Sequence, residues 1–416
     1  MSESRKYARH VRNYSVASVL SLAAGLLSFP ILTRLLPVEQ YGLMSLLSAT
    51  LTFAVAFGKL GMQRATLRFY NEVKHGGFPG VAEQGFMATV VYAMAGLALV
   101  AMLLWLAGAA LLPVDTWAGD GFRTLMFLTA VLVAARVLDS TFNNLLQAQE
   151  RSGTLAMFGV GRRYALLAAT LGAVAFVSPT ALGFFGGTVL AEVGAVLVIA
   201  ALYFRGGWPR WQDRSGPLLK AMLLFCVPMA GYEISGILIQ LGDRYVLQAT
   251  LDLAAVGLYS AAFNLSQQFE TVVFVALVGA AVPMCLRLRE SGGLPAVNDF
   301  LKGMTRTYVA VGVAAVAVLA SVREEVIVIL ASDRYLPAAD LLPMILVGRF
   351  MDAYVHVAGL GLYLARRSLL TMFILLGGAA LNLGLNLLVI PRFGIQGAAA
   401  VHAGGITLMI LVLTLV

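Results

Sequence analysis

The sequence predicts an all-α integral membrane protein of twelve transmembrane helices, arranged as two six-helix bundles about a pseudo-twofold axis along the membrane normal. Three observations predict it: an apolar composition, a series of runs of spanning length, and marks that recur between the two halves. Of 416 residues, 60% are hydrophobic and 12% charged, against roughly 45–50% apolar and 25% charged in a soluble domain. A hydrocarbon core about 30 Å thick takes roughly 20 apolar helical residues, because a backbone group facing lipid has to bond within its own helix.

The first run, 14–36, follows the basic stretch Arg5, Lys6, Arg9 and Arg12. It is longer than a signal-peptide core and other spans follow at once, so it reads as a retained helix. Pro37 stops it, and Glu39, Gln40 and Gly42 let the chain reverse in water, leaving Arg34 near the outer mouth. The second run, 41–62, carries Lys59 near its inner end, ahead of the basic residues Arg64, Arg68 and Lys74. Runs 86–112, 123–147, 155–177 and 181–204 complete the N-terminal lobe, residues 1–204. The segment "RGGWPRWQDRSGPLLK", taken as residues 205–220, is basic and reads as a cytoplasmic linker. Runs 219–242, 255–283, 305–322, 339–363, 369–390 and 396–416 make the C-terminal lobe, residues 221–416.

Charge follows this topology. With the N-terminus inside, twenty of the 29 Lys and Arg fall on inside segments, against Arg34, Arg123, Arg323, Arg334 and Arg392 outside. That bias is the positive-inside rule, and it absorbs the net charge of +8 without nucleic acid. The halves repeat in register. "VAARVLDSTFNN" has Arg136 and Asp139 three apart, and "LVGRFMDAYVHV" has Arg349 and Asp352 three apart, 213 residues later. Pro179 matches Pro391 at 212, and Gly42 in "EQYGLMSL" matches Gly257 in "AAVGLYSA" at 215. Two six-span halves keep one orientation, and binding is expected between them.

Several function classes lack their parts. Cys226 and Cys285 sit in apolar runs with no metal spacing, the four histidines form no paired-ligand motif, and no GxxxxGK[ST] loop occurs. The expectation is therefore no catalytic residue, no metal and no cofactor.

Charges inside the spans are costly and mark function or pairing. Arg136 with Asp139, and Arg349 with Asp352, have the spacing that lets opposite charges meet on one helix face. Asp243 and Arg244 stand at a span end and are expected to reach the interface, and Lys59 to snorkel to it. Glu192, Glu233 and Glu270 have no cation within three or four residues along their own helices. Each needs a partner from another helix, a bound ion or a proton.

The stretch Ser18–Glu72, "SVLSLAAGLLSFPILTRLLPVEQYGLMSLLSATLTFAVAFGKLGMQRATLRFYNE", resembles the start of the Wzx-type polysaccharide flippases of the MOP superfamily. That superfamily also holds the MATE drug exporters and the MurJ lipid II flippases. The terminal Arg of the first span, the "LPVEQYG" turn, the "LG" ending the second span and the basic, aromatic "RATLRFY" carry the resemblance, and the two-lobe pattern extends it over nearly the whole chain. Many relatives have fourteen spans; twelve here imply either a twelve-span type or a chain cut at its C-terminal end.

The resemblance implies a MATE/MOP-like fold with alternating access to a central cationic cavity. It implies transfer of an undecaprenyl-diphosphate-linked oligosaccharide from the inner to the outer leaflet of the bacterial inner membrane. On that reading Lys59, Arg64, Arg68, Arg136, Arg349 and Arg34 receive the diphosphate, since Arg in particular suits phosphate oxygens. Asn143, Asn144, Gln147, Asn264, Gln267 and Gln268 meet sugar hydroxyls. Asp139, Glu192, Glu233, Glu270 and Asp352 are the candidates for a coupling proton or Na⁺. The partners expected are the lipid-linked sugar, membrane lipids and the polysaccharide polymerase machinery. Two rival readings are a MATE-like cation-coupled drug antiporter and a membrane polysaccharide polymerase or ligase. An enzyme of that kind needs a large outside loop, and the longest outside segment here, Arg323 to Ala338, is about 16 residues.

Overall fold

Backbone polar groups in an apolar layer are satisfied only inside a helix, and every regular element among the described residues is helical. The computed structural model describes residues 20–111, 121–205, 207–274, 278, 281–358 and 368–415. The start of the first predicted span and the basic residues Arg5, Lys6, Arg9, Arg12, Arg366 and Arg367 lie outside them.

The helices are α1 (Leu20–Leu35), α2 (Val38–Lys59), α3 (Met62–Lys74), α4 (Glu83–Leu111), α5 (Phe122–Ala148), α6 (Ser152–Phe176) and α7 (Ala181–Tyr203). After a 3-10 turn at Trp211–Asp213 come α8 (Gly216–Leu241), α9 (Asp243–Thr250) and α10 (Leu253–Phe269), which runs into a π-helical turn at Glu270–Phe274. Then follow α11 (Ala281–Ser321), α12 (Arg323–Leu330), a 3-10 segment Asp333–Leu341, α13 (Leu342–Ala358) and α14 (Ser368–Leu415). Each predicted span overlaps one of these helices where it is described, but 41–62 reaches the first residue of α3, 255–283 runs from α10 through the π turn to the start of α11, and 339–363 begins in the 3-10 segment. The last two share α14, which breaks at Gly394 (φ 59°) just after Pro391. Among the described residues, six helical runs are long and apolar enough to cross a membrane, and Leu20–Leu35 and Gly216–Cys226 are shorter apolar helices.

By contact the chain forms two units, one of residues 1–37 and 47–234, the other of 38–46 and 235–416. In the first, α5 packs on α4 and α7, and α6 packs on α7. The basic segment before α8 is anchored in this unit: the Tyr92 hydroxyl donates to the Pro209 carbonyl at 2.9 Å, and the Ser215 N–H donates to Thr89 Oγ1 at 2.9 Å.

In the second unit α13 packs on α14 and α10. Tyr308 donates to the Phe350 carbonyl and stacks on the Phe350 ring at 4.8 Å. The start of α2 crosses α10 backbone to backbone. A Cβ on Gly42 would overlap the Leu253 carbonyl oxygen, and one on Gly257 would overlap the Val38 carbonyl oxygen. One turn further along each helix, Ser45 and Ser260 both accept from Arg244 Nε, at 3.3 and 3.2 Å.

Moving a side chain aside does not relieve this crossing, since the nearest atom each glycine meets is a main-chain carbonyl oxygen. Gly257→Ala is therefore expected to force the two helices apart at a cost of about 1–3 kcal/mol. Thermal unfolding of the purified variant in detergent checks this; an unchanged midpoint contradicts the close crossing.

Candidate functional site

The charges predicted inside the spans assemble into three clusters, two in the first unit and one in the second. In the first cluster, α2 ends at Lys59, and Leu60 (φ 47°) and Gly61 (φ 75°) both take left-handed backbone before α3 begins. Lys59 Nζ lies 3.0 Å from Glu233 Oε1 on α8, and Gln63 Nε2 donates to Glu233 Oε2 at 2.6 Å. Lys59 thus pairs with a carboxylate rather than snorkelling, and Glu233 finds its cation on another helix. Both are half-buried, their side chains 18% and 22% exposed. Arg68 is bonded to Glu72 at 3.1 Å and lies over the Phe225 ring at 4.6 Å, while Arg64 is exposed.

The second cluster joins α5, α6 and α7. Arg136 Nε lies 3.1 Å from Glu192 Oε1; Arg162 reaches Glu192 Oε2 and Asp139 Oδ2, both at 3.0 Å. Asn143 adds a donor to Asp139 Oδ2 at 2.9 Å. Arg136 and Asp139, expected to pair along α5, instead each face a partner on another helix: Asp139 is short and lies against Arg162 of α6, and Arg136 reaches α7. The two carboxylates are almost wholly buried, Glu192 at 2%, and two cations balance two anions. Charge balance is what lets the group sit in an apolar bundle, since a lone buried charge costs several kcal/mol (about 3–5 on removing one partner).

The third cluster is in the second unit. Arg349 on α13, 1% exposed, places Nη1 3.1 Å from Glu270 Oε2 and 3.3 Å from Asp352 Oδ2. The expected pairing with Asp352 is present, and the π turn that Glu270 opens adds a second carboxylate. Arg349 also stacks over Phe263 at 3.9 Å, and Arg244 stacks over the same ring at 4.5 Å. The His402 ring meets Phe263 edge-on at 5.2 Å. Asp243 and Arg244, expected at the interface, are fully buried: α9 is a short helix inside the second unit, where Tyr259 donates to Asp243 and Arg244 bonds the Gln240 carbonyl at 3.1 Å.

The predicted sugar contacts are scattered. Asn144 donates to the Ser140 carbonyl at 2.6 Å and Asn264 to Tyr41 Oη at 2.9 Å, while Gln147 and Gln267 are exposed and Gln268 half-buried. Arg34 is exposed, with Nη1 3.3 Å from the Pro30 carbonyl. Sequence reasoning did not single out Gln63, Arg162, Phe263 or His402. Arg162 had a signal, a guanidinium well inside an apolar run, but it read as a topology charge. Among the described residues no group of His, Cys, Asp and Glu is placed to hold a metal ion.

The signature of a family described as polysaccharide biosynthesis protein matches residues 9–289. No curated protein sequence matches the chain. Among solved structures it is similar to an inward-facing multidrug resistance MATE family transporter of the MOP superfamily, at 13% identity over 96% of this chain and 93% of that one, TM-score 0.74. It is equally similar to the lipid II flippase MurJ in an inward closed conformation, at 12% identity over 97% of this chain and 86% of that one, TM-score 0.74. The Vibrio cholerae MATE transporter VcmN follows at 14% identity, 99% and 97% coverage and TM-score 0.61. At these identities the likeness is one of fold.

Arg162 is the one cation touching both carboxylates of the second cluster. Arg162→Gln is expected to destabilise by about 3 kcal/mol, and Arg162→Gln combined with Asp139→Asn, which leaves Arg136 paired with Glu192, to recover most of it. Thermal unfolding of the set checks this; equal stability of Arg162→Gln and the parent removes the bridge.

Proposed function

The chain belongs to the polysaccharide biosynthesis protein family and has the all-helical fold of MOP-superfamily membrane transporters, and from that premise we propose that it flips a lipid-linked oligosaccharide. The substrate proposed is an undecaprenyl-diphosphate sugar, moved from the inner to the outer leaflet of the bacterial inner membrane by alternating access. The cytoplasmic N-terminus, the two six-helix lobes and delivery to polymerase machinery belong to the same proposal.

The observation that carries it is Lys59, a half-buried cation at the end of an apolar helix and the start of a basic one. The substrate's apolar tail stays in lipid while its diphosphate and sugars cannot, so the protein has to offer cations at membrane depth. Lys59, with Arg64 and Arg68 on the turns that follow, meets that need; Arg136 and Arg349 are further receivers whose carboxylates would have to yield. Arg34 receives the diphosphate at the opposite end of the path. Asn143, Asn144, Gln147, Asn264, Gln267 and Gln268 take the sugar. Glu270 and Asp352, which share Arg349, and Asp139 and Glu192, which share Arg162, are the places where a proton or Na⁺ would change the local balance.

A MATE-like antiporter is the second reading, favoured by the equal TM-scores of the MATE and MurJ structures and by acidic residues in both units. An organic cation needs an acidic or aromatic receiver, whereas the half-buried end of α2 offers a lysine.

Reconstituted vesicles carrying a labelled lipid-linked oligosaccharide separate the two. Transfer to the outer leaflet is expected in the parent, with Lys59→Gln slowing it about tenfold or more, a loss of about 1.4 kcal/mol at the barrier, and Lys59→Arg keeping most of it. Absent transfer, together with efflux of ethidium under a proton or Na⁺ gradient, would establish the antiporter.

A further inference from the structure

Lys59 and Gln63 stand on opposite sides of a break. Between them Leu60 has φ 47° and ψ 29°, a conformation in which the side chain of an L-residue crowds the carbonyl oxygen; such backbone persists where the surroundings hold it. The Leu60 N–H caps α2 on the Ala56 and Phe57 carbonyls at 3.1 and 3.2 Å, and one carboxylate ties the two sides of the joint together. Glu233 takes the last residue of α2 on one oxygen (3.0 Å) and the first turn of α3 on the other (2.6 Å), and so fixes both helices to α8 across the joint. Further along, Phe69 of α3 meets the Phe225 ring of α8 at 6.1 Å. Pairs 63 with 233 and 69 with 225 show that α3 runs antiparallel to α8 over this stretch.

An ammonium and an amide N–H converging on two oxygens of one anion are also the donors that non-bridging phosphate oxygens accept. We propose that Glu233 is a resident counter-anion, competing with an incoming prenyl diphosphate for Lys59 Nζ and Gln63 Nε2, and that its displacement releases the Leu60–Gly61 joint. This rests on the reading that Lys59 receives the diphosphate, and it adds Gln63 as a second receiver and Glu233 as a positioning residue. A diphosphate carries more charge than a carboxylate and has Arg64 and Arg68 on the next turns of α3, which lets it win against a tethered rival. Exchange then unties α3 from α8 at its first turn, so arrival of the head group is converted into freedom of a helix joint.

The test uses the full chain in lipid nanodiscs with farnesyl diphosphate as the probe. Glu233→Gln is expected to bind it about tenfold tighter than the parent, since a close competing charge is gone. Glu233→Asp is expected to stay near the parent, and Gln63→Ala to weaken binding. The double variant Glu233→Gln with Lys59→Gln is expected to keep only the smaller part of that gain, the part that freeing Gln63 supplies. Spin labels on cysteines at the exposed positions Phe57 and Asn71 are expected to give one distance in the parent, broadened by farnesyl diphosphate or by Glu233→Gln. If Lys59→Gln weakens binding but Glu233→Gln does not tighten it, or the whole tenfold gain persists without Lys59, or the labels do not respond, the exchange is overturned while Lys59 stands as receiver. If Lys59→Gln binds as well as the parent, the receiver reading fails first.

Discussion

A carboxylate held inside an apolar helix bundle needs a cation within reach, and in this protein that cation comes mainly from a different helix. Glu233 is met by Lys59, Glu192 by Arg136 and Arg162, and Glu270 by Arg349. Each link is a constraint on packing, because an ion pair with one partner removed costs far more than the intact pair contributes. The helices are therefore tied at specific points rather than merely pressed together by apolar surface. Those points are also where a charged ligand or a proton can change the balance.

The clusters differ in what they leave open. The group on α5, α6 and α7 has two cations for two anions, so it is self-contained. Around Phe263 there are two guanidinium groups, on Arg244 and Arg349, and three carboxylates, on Asp243, Glu270 and Asp352. The Phe263 ring attracts both guanidiniums, and the carboxylates around them offset their mutual repulsion. The Lys59 cluster is the one in which cation and carboxylate are both partly exposed, and it adjoins a backbone break.

Much of the fold was legible in the sequence, because spanning length and hydropathy are local properties and each predicted span overlaps a helix where it is described. The requirement that Glu192, Glu233 and Glu270 find partners elsewhere was legible too, from the absence of a cation within a turn. Which partner each takes was not, because that depends on tertiary packing. Arg136 and Asp139 have the spacing of a helical pair and still turn to other helices. Arg162 counted among the inside charges of the topology and proves to bridge two acids. Asp243 and Arg244 looked like an interfacial pair because α9, too short to register in hydropathy, was read as the end of a span. Gln63 had no signal, since an isolated amide on a basic amphipathic helix reads as surface.

The crossing of α2 and α10 is written twice by one pattern. Val38 and Leu253, Gly42 and Gly257, and Ser45 and Ser260 each stand 215 residues apart, and each glycine abuts the counterpart of its own helix's first residue. Arg244 has a single Nε hydrogen to offer, and two equivalent hydroxyls share it at 3.2 and 3.3 Å, longer than an undivided bond prefers. A duplicated acceptor pair around an unduplicated donor is redundant: either serine is a spare for the other. Sequence drift at one of them is thus buffered in a way that drift at the arginine is not.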